Sequence, residues 1–253
     1  MAPNPSAPEF TDDTLLDGKV IFRQPATGYR AAIDPVLLAA SIPDSINGRV
    51  LDLGCGAGAA MLCLARRRAD LNVVGLERDA MLAQLARDNA AANEFGQRVT
   101  VHVGDILRPP PQLQVASFDA VMVNPPYLDP DTTDPSPDPK KKAATVESEA
   151  SLDDWARAAA RFVKPQGLVF FIHRADRLAE LQKALTTVGC GGTVTAPLWP
   201  KIGAQPKRAI VVARRGDTSP PNSTNGLILH EFDGPFTPQA DAILRQGLKL
   251  TVV

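Results

Sequence analysis

Long apolar runs are missing from this sequence. Nowhere do eighteen consecutive residues stay apolar, which argues against a membrane-spanning helix. The Pro-rich opening from Ala2 to Pro8 lacks an apolar centre and does not read as a secretory leader. Cysteine is scarce: Cys55, Cys63 and Cys190 are odd in number and scattered, which favours a reducing, cytoplasmic setting over a disulfide framework. The three histidines lie far apart and make no metal-ligand spacing with the cysteines, so no metal is expected. A charge excess is absent as well. The formal net charge of −1 neither favours nor excludes nucleic acid, because a near-neutral protein can carry one basic face. No internal repeat is visible.

What is present is ordinary for a globular domain: 44% hydrophobic and 22% charged residues over a chain long enough for a sizeable core. The stretch that organises it is Val50-Leu51-Asp52-Leu53-Gly54-Cys55-Gly56-Ala57-Gly58. Its first half reads as a short buried strand, and the Ala/Leu-rich run from Ala59 to Ala65 reads as a helix. The glycines between them let backbone N–H groups approach a ligand that a bulkier loop would hold away. Gly54, Gly56 and Ala59 also satisfy a dinucleotide pattern, and an ordinary strand-to-helix turn reads the same way. Asp52, two residues before the first glycine, adds an acceptor for a ligand amine or hydroxyl.

Upstream, residues 1–10 read as disordered, and Asp17-Gly18 between two apolar pieces signals a hairpin. Asp34 is suited to cap a short helix with Pro35 at its first position. Tyr29, Arg30 and Asp34 either lie over a bound ligand or anchor that cap. Downstream, a second strand ends in Glu77, where nucleoside-binding α/β units place the acid that accepts from ribose hydroxyls. Asp79 caps an amphipathic helix that follows. A third strand, Val99 to Val103, leads to Asp105, either an adenine-amine acceptor or a loop cap. Ser151 with Asp154 forms a capping box, Pro165 is expected to end that helix, and Gly167 to Ile172 forms a fifth strand. Two late strands, a polar linker from Gly216 to Gly226 and a strand-helix tail complete the chain.

Among the basic clusters, Arg66-Arg67-Arg68 suits the negative end of a helix. Lys140-Lys141-Lys142 and Lys207-Arg208 are more open to a phosphate role.

The most informative tetrapeptide closes the fourth strand: Asn124-Pro125-Pro126-Tyr127. Each proline fixes its own backbone and pushes its predecessor out of the helical region, so the pair makes a stiff strand-end loop. The Asn124 amide oxygen and the Pro125 carbonyl supply two acceptors, the number a planar –NH2 group needs. Tyr127 offers a flat face on which a base or an amide plane can stack. Residues 128–149 have no periodicity and read as a mobile loop over this site.

With Asp52-Leu-Gly-Cys-Gly-Ala-Gly58, Glu77, Asp105 and Asn124-Pro-Pro-Tyr127 in that order, the chain resembles class I S-adenosylmethionine-dependent methyltransferases. More narrowly, Thr27 to Leu38, Ile172 to Leu178, Leu198-Trp-Pro200 and Pro206-Lys-Arg208 are similar to small-domain methyltransferases acting on the adenine beside the anticodon of a valine tRNA. The resemblance implies an α/β fold: a Rossmann-like, seven-stranded, mostly parallel sheet with helices on both faces and an N-terminal hairpin and helix. It implies S-adenosylmethionine as cofactor, tRNA as partner, and neither metal nor membrane. By the same resemblance Asp52, Gly54, Cys55, Gly56, Ala57 and Gly58 hold the methionine part. Glu77 with Arg78 serves the ribose, Asp105 and Ile106 border the adenine, and Asp34 and Asn124 complete the cofactor site. Asn124, Pro125 and Tyr127 are the catalytic set; Tyr29, Arg30, Tyr127, Lys207 and Arg208 face the substrate. The domain division expected is 11–48 over the cofactor site, 49–215 as the methyltransferase domain, 216–226 as linker and 227–253 as appendage.

Four readings compete. Glutamine-amide methylation shares the Asn-Pro-Pro-Tyr element, but fewer than fifty residues precede the first sheet strand, too few for a helical protein-substrate domain. Methylation of a guanine amine in rRNA keeps the chemistry and changes the base. The intact set of Asp52, Glu77, Asp105 and Asn124 argues against a non-catalytic RNA-binding module, and an NAD-dependent oxidoreductase fits the glycine loop but leaves Asn124–Tyr127 unexplained.

Overall fold

In the computed structural model, which describes residues 9–27, 30–126 and 150–253, the apolar runs become strands and the Ala/Leu-rich stretches become helices. Strands β1 (Phe10–Leu15) and β2 (Val20–Pro25) form an antiparallel hairpin in which Leu15 faces Val20 across the Asp17-Gly18 turn. After α1 (Asp34–Ala40), strand and helix alternate: β3 (Arg49–Leu53), α2 (Ala59–Arg67), β4 (Asn72–Glu77), α3 (Ala80–Ala92), β5 (Val99–Val103) and β6 (Phe118–Val123). The second half runs α4 (Leu152–Phe162), β7 (Val163–Arg174), α5 (Leu178–Thr187), β8 (Cys190–Trp199) and β9 (Arg208–Arg215). Two-residue strands β10 (Asn222–Ser223) and β11 (Leu227–Ile228) follow, then α6 (Pro238–Asp241), which continues as a π-helical turn to Gln246.

Seven of these strands lie in the order β8-β9-β7-β6-β3-β4-β5. All their pairings are parallel except those of β9, which runs against β7 and β8. The chain enters at β3, builds outward to β5, then returns to place β6 on the other side of β3. That reversal opens a crevice at the carboxyl ends of the strands, where open α/β sheets bind ligands. Helices α1, α2 and α3 and the hairpin bury one face, and α4 and α5 bury the other.

Local chemistry sets the boundaries. Asp79 accepts from the backbone N–H groups of Met81 and Leu82, and the Ser151–Asp154 capping box is complete. Arg67 donates to the carbonyls of Ala39 and Ile42 and Arg68 to those of Pro43 and Ile46, so this cluster ties α2 to the end of α1.

Several expectations need correction. The seven strands expected are all present, and β10 and β11 both add to β8 in parallel to bring the full sheet to nine. The segment 216–226 is therefore no free linker; its first and last parts lie against glycines and backbone of β8, which is why Gly191, Gly192 and Gly226 have no room for a Cβ. Pro165 does not end α4: the helix gives way to β7 at Val163, and Pro165 sits where the β6–β7 register shifts. Asp34 is not a helix cap. It is the first helical residue, with Ile33 before it making no side-chain cap bond, and its carboxylate pairs with Arg208 at 3.2 Å.

Candidate active site

Register brings the expected residues to one edge. Leu53 pairs with both Leu76 and Val123, and Glu77 pairs with Val103, so Gly54, Glu77, Asp105 and Asn124 all leave the sheet at its carboxyl end. Backbone bonds then shape the glycine loop: the N–H groups of Gly54 and Cys55 both donate to the carbonyl of Leu76, at 2.8 and 3.1 Å. Gly54 has φ +70° and packs on the Trp155 ring, where a Cβ would come within 2.7 Å. Gly56, at φ +55°, is different: a Cβ there meets nothing within 4 Å, so the loop is open on that side.

Two carboxylates, Asp52 and Glu77, organise the loop, and a third, Asp105, shapes the neighbouring one after β5. Asp52 is 2% exposed, and one of its oxygens accepts from the Met61 N–H at 3.1 Å. Gly58, the N-cap of helix α2, has no side chain to cap it, so this strand residue supplies the missing cap from below. Burial, with the nearby Glu77 charge, pushes the Asp52 carboxyl up to about 7 against the opposing pull of the Met61 N–H. Glu77 spans the loop's flank: one oxygen accepts from Gly56 and the other from Asp79, both at 2.9 Å. A carboxylate has about four lone-pair sites, so each oxygen keeps capacity for a ligand hydroxyl. Asp105 caps the Leu107 N–H at 2.8 Å with one oxygen and is half-buried. Cys55 is inert, because burial and the two acidic neighbours push its thiol well above the usual range.

Asn124 is half-buried at the end of β6, with Pro125 buried and Pro126 exposed behind it. Ile106 packs on the α4–α5 side of the core, Ala57 is half-buried in the loop and Arg78 is exposed next to Glu77. Arg30 lies with the hairpin instead: it donates to Thr11, the Pro25 carbonyl and Asp13. Lys207 is exposed beside the Arg208–Asp34 pair. Tyr29, Tyr127 and Lys140–Lys142 lie outside the described residues.

One functional neighbour escapes a reading by pattern. Asn89, buried in α3, donates to the carbonyls of Arg23 and Ala57 and accepts from the Arg23 N–H at 2.9 Å. Asn93, one turn on, bonds both backbone groups of Ile21. The hairpin is thus laced to α3, and through Ala57 to the glycine loop. The available signal is an Asn pair at i, i+4 on an otherwise apolar helix face.

A parallel sheet in this strand order, with a glycine loop open at the switch point and acids ending β3 and β4, defines a class I S-adenosylmethionine-dependent methyltransferase. The open side of Gly56 and the spare acceptor capacity of Glu77 suit that cofactor's backbone-held and ribose parts. The methyltransferase small-domain family model matches residues 31–136. A Porphyromonas gingivalis protein named tRNA1(Val) (adenine(37)-N6)-methyltransferase is 30% identical over 224 residues, 85% of this chain and 87% of that one. A Salmonella arizonae protein of the same name is 35% identical over 126 residues, about half of each chain (49% and 51%). Among solved structures, one described as a predicted O-methyltransferase from Agrobacterium tumefaciens superposes with a TM-score of 0.72 at 27% identity, covering 86% of this chain and 98% of that one. The Streptomyces coelicolor geranyl diphosphate C-methyltransferase, solved with S-adenosyl-L-homocysteine, has a TM-score of 0.52 at 15% identity over 72% of this chain and 79% of its own, a likeness of fold. The chain belongs to the small-domain methyltransferases, in the family of the tRNA1(Val) (adenine(37)-N6)-methyltransferases. Among the described residues no helix is long and apolar enough to cross a membrane, and no cluster of ligating side chains suits a metal.

Proposed function

We propose that this protein methylates the exocyclic N6 amine of an adenine in tRNA, in the cytoplasm. The observation that carries the reading is the placement of Asn124-Pro125 beside the glycine loop, one strand from Gly54. S-adenosylmethionine, when bound, supplies an electrophilic methyl carbon on a sulfonium. Gly54, Cys55, Gly56, Ala57 and Gly58 with Asp52 hold its methionine part, Glu77 and Arg78 its ribose, and Asp105 and Ile106 its adenine. Asp34, at the start of α1 and ion-paired to Arg208, is the remaining cofactor residue of this reading.

The acceptor nitrogen is a poor nucleophile, because its lone pair is delocalised into the purine. The Asn124 amide oxygen and the Pro125 carbonyl accept its two N–H bonds, which favours the pyramidal nitrogen and the positive charge growing on it. Two neutral acceptors held by consecutive prolines do this without a strong base, and the surplus proton leaves to water. Tyr127 stacks on the target base, which must be splayed out of its loop. Lys207 and Arg208 face the RNA, and Tyr29 and Arg30 are the further substrate contacts of this reading. The relatives' names and the two-acceptor geometry both favour an amine over a hydroxyl.

Nucleoside mass spectrometry after incubating the protein with S-adenosylmethionine and unmodified tRNA transcripts tests this. N6-methyladenosine is the expected product. Transcripts left unmethylated, while rRNA or a glutamine-containing protein supplied in parallel is methylated, would overturn it.

A further inference from the structure

The two most exposed large apolar side chains among the described residues are Phe232, at 90%, and Ile202, at 77%. They fall at the same corner. Ile202 follows Lys201 in the β8–β9 connection, and the Lys201 ammonium lies 5.5 Å from the centre of the Phe232 ring. Phe232 sits at the tip of a turn that is itself well made. Glu231 donates to the Pro235 carbonyl at 2.8 Å, His230 bridges to Phe236 and stacks on its ring, and Nδ1 of His230 lies 2.8 Å from the Gly234 carbonyl. The turn is fastened to the sheet: β11 pairs with β8, the Leu229 N–H donates to Trp199 and the His230 N–H to Pro200. An ordered, anchored turn thus holds an exposed aromatic ring, with the Lys201 ammonium beside it and a second exposed apolar side chain, Ile202, on the adjoining connection.

Topology places this ring on the side where chemistry occurs. Leu198 pairs with Arg208 and Arg208 with Arg174, so the end of β8 lies at the same carboxyl edge as Asn124. Strands β8 and β6 are three positions apart in the sheet, about 14 Å at the usual strand spacing. That is roughly the span of four stacked nucleotides.

The charges of the corner select what lands there. Arg208, Arg174 and Arg177 are paired with Asp34, Asp176 and Glu180, and Glu231 and Asp233 flank the ring. With an acid on each side of Phe232 in the chain, the ring suits the uncharged face of a base better than a phosphate. Lys201, beside the ring, and the exposed Lys207, just before β9, are the cations of this corner that a backbone phosphate would meet.

We propose that Phe232, backed by Lys201 and Ile202, is a stacking platform for an unpaired base of the RNA substrate, a few nucleotides from the one that is methylated. This rests on the tRNA reading above and adds to it a second anchoring point, supplied by the C-terminal extension. The ring is a binding residue and touches no reacting atom. Steady-state methylation of unmodified tRNA transcripts by the full-length chain tests it. Phe232→Ala should raise KM for tRNA about tenfold, the usual worth of one base–aromatic stack. Its kcat at saturating tRNA and its affinity for S-adenosylmethionine should stay at the wild-type value. The loss should be the same at low and moderate salt, and Phe232→Trp should restore KM while Phe232→Leu should not. An unchanged KM in Phe232→Ala, or full rescue by Leu, would overturn the platform while leaving the tRNA reading intact. A change from dimer to monomer in sedimentation, with KM unmoved, would assign the ring to an interface between copies instead. Wild-type protein inactive on every tRNA would sink the function and the platform together.

Discussion

The two halves of the sheet, divided between β3 and β6, are built from opposite materials. On the β3-β4-β5 side, Asp52, Glu77 and Asp105 end or underlie the strands, and their oxygens already hold the backbone of the loops they serve. On the β6-β7-β9-β8 side the edge carries Asn124, Arg174, Lys207, Arg208, Lys201 and the bare Phe232 ring. On the proposed assignment the first half is pre-organised around a small cationic molecule, which must find every acceptor in place. The second is open and mixed in charge, as suits a large, flexible polyanion that brings its own shape. Preorganisation is thus concentrated where the ligand is small.

The sharpest way to break this contrast is at the seam. Asn124→Ala should lower kcat about 10²–10³-fold, by analogy with the loss of one transition-state hydrogen-bonding group, while S-adenosylmethionine binding by calorimetry stays near wild type. Retained turnover would show that the seam does not separate chemistry from cofactor binding. Next comes the acid half itself. The Asp52 carboxyl is raised to about 7 in the fold, above its ordinary range, so the native state keeps a proton that the unfolded chain gives up. Its contribution to stability should be complete below about pH 4, where both states are protonated, and be lost as pH rises through about 7. Urea unfolding of the wild type and Asp52→Asn across that window should show a difference that shrinks or reverses with pH; parallel curves would refute it.

A smaller effect is expected where the hairpin is laced to the cofactor half. Asn89→Ala leaves buried backbone groups of Arg23 and Ala57 without partners and should cost about 2–3 kcal/mol in denaturant unfolding. A loss within error would mean that water replaces the amide. The smallest falls on the open half: Lys207→Ala should weaken tRNA binding a few-fold and reduce the salt slope by about one, with cofactor affinity unchanged.

Much of this was legible in the sequence because the signals are local. The glycine loop, Glu77 at the end of β4, Asp79 as cap and the Ser151–Asp154 box depend on neighbours a few residues away, and each falls where its pattern places it. The misreadings are long-range. Asp34 has the right neighbours for a cap, yet its partner is Arg208, 174 residues on. Asp52 looked like a ligand group alone, but it also caps a helix in place of glycine. Pro165 punctuates a helix in most contexts; here a register shift in β7 absorbs it. The Gly216–Gly226 stretch has a linker's composition, and no property of that stretch alone reveals that β8 has an unpaired side waiting for it.

That last pairing bears on solubility. Strand β8 is ten residues long and would otherwise end the sheet with a row of unsatisfied amides and carbonyls, while the opposite margin, β5, is half that length. Two short pieces of the extension, β10 and β11, blunt the longer margin. Cutting the chain after Arg215 would strip away that cover and expose a template for intermolecular strand addition, so such a fragment should self-associate even with its glycine loop intact.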